Sequence, residues 1–70
     1  MNIETLGDAL PREMARVRDE VIPVYETIGP GGVPALVLMR TDLDFAARAM
    51  AAGDLVAMIQ VYESLKEWKL

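Results

Sequence analysis

A chain of 70 residues makes a single domain, near the lower size limit for folding without staples. It contains no cysteine and no histidine, which removes disulfides, thiolate metal sites and the commonest general base together. The net charge of −4, from 11 acids and 7 bases, speaks against nucleic acid, whose binding needs a concentrated basic face.

Hydrophobic residues make up 53 % of the chain, more than so small an interior can hide. Apolar surface is therefore expected on the outside, and self-association or a protein partner is the ordinary way to cover it. The opening "MNIETLGDAL" lacks the basic run and apolar core of a secretory signal. The longest apolar run, "VPALVLM", is far too short to span a membrane. These features predict a soluble cytoplasmic protein that binds no membrane.

The first helix is predicted over residues 9–28. Leu10, Met14, Val17, Val21, Val24 and Ile28 fall in one stripe at steps of four and three, and Tyr25 widens it. Asp8 is placed to cap this helix, with Pro11 in the first turn, where its missing N–H costs little. Pro23 removes the bond to the Asp19 carbonyl and should kink the helix or end it early. "GPGG" then stops the helix in a turn over residues 29–33. It lacks the lysine and hydroxyl that a phosphate-binding loop would add.

The second helix is predicted over 34–52, with Pro34 in its first turn. Leu36, Met39, Leu43, Ala46 and Met50 form one apolar stripe, and Leu38, Phe45 and Ala49 form another. A helix apolar on two faces cannot satisfy both against one neighbour, so this one should be central. Arg40, Asp44 and Arg48 share a third face at ion-pair spacing.

The third helix, 54–68, follows a Gly53 stop and an Asp54 cap, with Leu55, Met58, Ile59, Tyr62 and Leu65 on its inner face. So short a corner sets helices two and three antiparallel. The expected fold is all-α, a small helical hairpin or three-helix bundle completed by homodimerisation.

"AMAAGDLVAMIQVYESL" resembles a tetratricopeptide-type helix pair at Ala46, Gly53, Asp54 and Tyr62. Met58 and Leu65 stand where that family has small residues, and Ala49 where it has an aromatic one. The likeness covers about a third of the chain in one copy, whereas solenoids need about three repeats. It implies a helical hairpin that binds protein or peptide.

The catalytic inventory is thin. Ser64 and the threonines have no base at a readable spacing. The two acids of "DLD", Asp42 and Asp44, diverge on a helix, so no metal, cofactor or acid–base pair is expected. A helix-turn-helix reading of the "AAGD" corner fails because the following helix is nearly free of bases.

The expected function is a non-enzymatic interaction module, an adaptor or inhibitor that occupies a surface of a larger protein. In size and chemistry it is similar to small phage-encoded proteins that disable host factors, such as anti-activators. A self-assembling structural subunit is the main alternative. The interface candidates are Leu38, Phe45 and Ala49 on the second stripe, Met39 and Met58 as adaptable contacts, and Tyr62 and Trp68 as residue types favoured in hot spots. Asp42 completes the set, either reaching water at an edge or pairing with an arginine across the interface.

Overall fold

A computed structural model describes residues 5–70. They form three helical rods joined by two corners, with no strand among the described residues. The first rod is composite. It begins as α1, Leu6–Arg16, widens into a π-helical turn over Val17–Val21, and continues as α2, Ile22–Glu26.

The start of this rod differs from expectation. Thr5, not Asp8, is the N-cap residue, and its hydroxyl donates to Asp8 Oδ2 at 2.9 Å. Pro11 therefore lies inside α1 rather than in its first turn. The Gly7 carbonyl that Pro11 cannot serve sits on an exposed residue, where water can satisfy it.

Pro23 neither ends the helix nor breaks it, because the preceding turn takes up an extra residue. The Ile22 N–H donates to the Val17 carbonyl, five residues back. Widening the turn frees the carbonyl that Pro23 would otherwise clash with and leave unpaired. It also shifts the inward face by one position. Val17 and Val21 are buried as the stripe requires and Tyr25 packs against the core as expected, but Ile22 turns inward while Val24 and Ile28 face solvent. The predicted stripe is right up to the π turn and out of phase after it.

The "GPGG" turn is built as expected, with a closer approach than the sequence discloses. Gly29 has φ 88° and ψ −154°, a region open in practice only to glycine. Pro30–Gly32 make a 3-10 turn that runs straight into α3, Val33–Ala52. A Cβ on Gly32 would lie 2.7 Å from the Tyr25 carbonyl oxygen, so only glycine lets α3 start this close to the end of α2.

The second corner follows the prediction closely. Gly53 adopts the left-handed conformation at φ 65°, and the N–H groups of Gly53 and Asp54 bond the carbonyls of Met50 and Ala49. That is the Schellman pattern. Asp54 then caps α4, Leu55–Lys66, accepting from the Ala57 N–H at 3.1 Å.

The core gathers Leu10, Val17, Val21 and Ile22 from the first rod, Leu36, Met39 and Ala46 from α3, and Val61 and Leu65 from α4. The phase of α4 is a correction. Val61 points inward, whereas Leu55 and Ile59, expected on the inner face, are exposed. The molecule measures 39 × 28 × 15 Å, about two helix layers in its thinnest direction. So thin a body leaves α3 and α4 a broad outer surface.

Candidate protein interface

The eight side chains singled out from the sequence take four different positions. Met39 and Ala49 are buried in the chain's own core and present nothing outward. Met58, Tyr62 and Trp68 are half-buried against that core. Leu38 and Phe45 remain open, at 57 % and 46 % exposure. Asp42 reaches across to the end of α4.

Asp42 is the polar tie between α3 and the end of α4. One oxygen, Oδ2, accepts from the Ser64 hydroxyl at 2.7 Å and from the Trp68 indole N–H at 3.0 Å. The carboxylate thus neither stands alone in water nor needs an arginine from elsewhere. It also fixes Trp68, whose N–H is donor-only and must find an acceptor when partly buried. The Ser64 hydroxyl is committed to this tie. Across the molecule, Arg16 of α1 donates to the Leu65 carbonyl at 3.0 Å while holding Glu13 at 2.7 Å. A cation at the carbonyl end of α4 meets the negative end of the helix dipole.

By helical spacing, Leu38 lies one turn before Asp42 and Phe45 just under one turn after it. They flank the tie on the outer side of α3. The polar face beyond them is neutralised internally. Arg48 pairs with Asp44 at 3.0 Å, and Arg40 reaches Glu26 at 3.5 Å rather than Asp44.

The larger omission of the sequence reading is the outer face of α4. Leu55, Val56 and Ile59 are 60 %, 65 % and 48 % exposed and crowd the first turn and a half. Further along, Tyr62 carries the Lys66 ammonium 5.2 Å from its ring centre, a cation–π contact on the same side as Leu55 and Ile59. The signal that could have found this face was the apolar excess of the helix itself. Leu55, Val56, Met58, Ile59 and Val61 cannot all fit one buried stripe.

On the first rod, Arg18 and Asp19 form an exposed pair at 2.8 Å. Their hydrogen bond holds the Asp19 carboxyl below its ordinary pKa and raises that of Arg18. A shallow depression beside them is lined by Arg12, Glu13, Arg16 and Glu20, all from one rod, and has no opposing wall. No group of three His, Cys, Asp or Glu side chains able to hold a metal occurs among the described residues. No helix among them is long and apolar enough to cross a membrane. Comparison with protein-family models, with curated proteins and with solved structures finds no match to this chain.

Proposed function

We propose that the protein is a non-enzymatic interaction module, an adaptor or inhibitor that works by covering a surface of a larger protein. One observation carries this reading. Five large apolar side chains on the outer faces of α3 and α4, namely Leu38, Phe45, Leu55, Val56 and Ile59, stand about half or more exposed on well-formed helices. They occupy helix surfaces rather than loose ends, and burying what remains exposed of each is worth on the order of 1 kcal/mol. Scattered single exposures would need no explanation, but exposures this dense on adjacent helices mark contact surfaces.

A second copy of the chain is the occupant best suited to the Leu38–Phe45 stripe. The stripe sits mid-helix on the longest element and is bordered by an Asp44–Arg48 pair that is already neutral. A two-fold axis across it lays apolar on apolar without opposing like charges. The adaptor reading is tested by affinity capture with the wild type, Phe45→Asp and Ile59→Asp, each checked for unchanged helicity. A protein enriched by the wild type and lost with one of the two variants supports the reading. Identical recovery with all three would sink it.

A further inference from the structure

We infer that the outer face of α4 docks a basic, amphipathic protein segment, and that the face is matched to such a partner by charge. The inference rests on the interaction-module reading above and names the partner's chemistry. Val56, Gln60, Glu63 and Glu67 recur at steps of four, three and four, and Ile59 lies one turn before Glu63, so they share one side of α4. The first half of that side is apolar and its second half is acidic.

Glu63 and Glu67 are exposed, and neither has a side-chain hydrogen bond or ion pair among the described residues. Arg16, Arg18, Arg40 and Arg48 are each already paired with a carboxylate of this chain. The acids also stand at the wrong end of their helix. Glu63 lies in the last turn of α4 and Glu67 at its C-cap, where the helix dipole is negative and carboxylates are disfavoured. Lys66 is the basic residue of that turn, and it is drawn to the Tyr62 ring.

A second copy does not suit this face. Antiparallel two-fold pairing about Ile59 would lay Glu63 on Leu55 of the other copy, parallel pairing would bring Glu63 and Glu67 near their own images, and the apolar half of α4 supplies no cation to either acid. A partner with apolar anchors and lysines or arginines satisfies both halves. It buries Leu55, Val56 and Ile59 and relieves the acids of their clash with the dipole.

The test uses two synthetic amphipathic helical peptides with the same leucine face, one with lysine and one with glutamate on the other face. Binding is followed by calorimetry at low and high salt. The lysine peptide should bind at least tenfold tighter than the glutamate peptide, with the gap narrowing as salt rises. Ile59→Asp should lose binding. The double variant Glu63→Lys/Glu67→Lys should also lose it while its Tm rises by a few degrees, because lysine suits that helix end. A net-charge control, Asp8→Lys/Glu20→Lys, should keep at least half the affinity.

Equal affinity for the two peptides would overturn the inference, as would equal losses in the double variant and its charge control. If Ile59→Asp abolishes capture of a cellular protein while Glu63→Lys/Glu67→Lys does not, the module reading stands and the basic partner falls.

Discussion

Removing the Asp42 carboxylate should unlatch the end of α4. In Asp42→Ala the Ser64 hydroxyl and the Trp68 indole N–H lose the oxygen they share, at 2.7 and 3.0 Å. Hydrogen bonds to an ionised acceptor contribute about 1.5–3 kcal/mol each when buried. Ser64 is exposed and Trp68 half-buried, so water recovers much of the first bond and less of the second. A total near 2 kcal/mol follows, most of it from Trp68. For a domain of this size that is a fall in Tm of about 8–16 °C. Circular dichroism at 222 nm reads the melting, and the fluorescence of Trp68, the single tryptophan, should shift to the red as the ring gains water. A double-mutant cycle with Trp68→Phe isolates the bond, with a coupling of about 1–1.5 kcal/mol. Additive effects, or an Asp42→Ala loss below about 0.5 kcal/mol, would refute the latch.

Other substitutions probe the backbone devices. Gly32→Ala should cost about 1–3 kcal/mol in chemical denaturation because its methyl meets the Tyr25 carbonyl, while Gly31→Ala, open to solvent, should be neutral or mildly stabilising. Deleting Glu20 removes the residue that the π turn absorbs, so the rest of the rod should return to α-helical phase while Pro23 again opposes a carbonyl one turn back, at a cost of about 3 kcal/mol. Deleting Glu13 instead turns every later residue of α1 by about 100° and should abolish cooperative melting. The Arg18–Asp19 pair contributes only above the unfolded carboxylate pKa and loses that contribution as pH falls through the lowered folded value. Because both side chains are mostly exposed, Asp19→Asn should leave the Tm at physiological salt unchanged within error from pH 3 to 7.

What the sequence disclosed is whatever depends on local chemistry. Gly53 and Asp54 stop one helix and start the next by backbone and side-chain rules that need no tertiary context, and the structure follows them to the residue. The antiparallel pairing of α3 and α4 follows from that corner. What it concealed depends on phase. A 3.6-residue period carries no signal for a π turn, so it points Val24 and Ile28 inward, where the structure has Ile22 beside the expected Tyr25. In α4, apolar residues on most sides leave the inward direction undetermined, and it is Val61 rather than Ile59 that the fold buries. Asp42 shows a third limit. Its spacing placed it beside the apolar stripes, but its partners lie 22 and 26 residues away, and only the folded hairpin brings them to it.

That a second copy of the chain covers the Leu38–Phe45 stripe on the outer face of α3 is tested most directly by sedimentation equilibrium. At tens of micromolar, the wild type should sediment at twice the 7.7 kDa chain mass, and Phe45→Asp at the mass of one chain with unchanged helicity. A wild type that stays monomeric to hundreds of micromolar, or a dimer indifferent to Phe45→Asp, would contradict it.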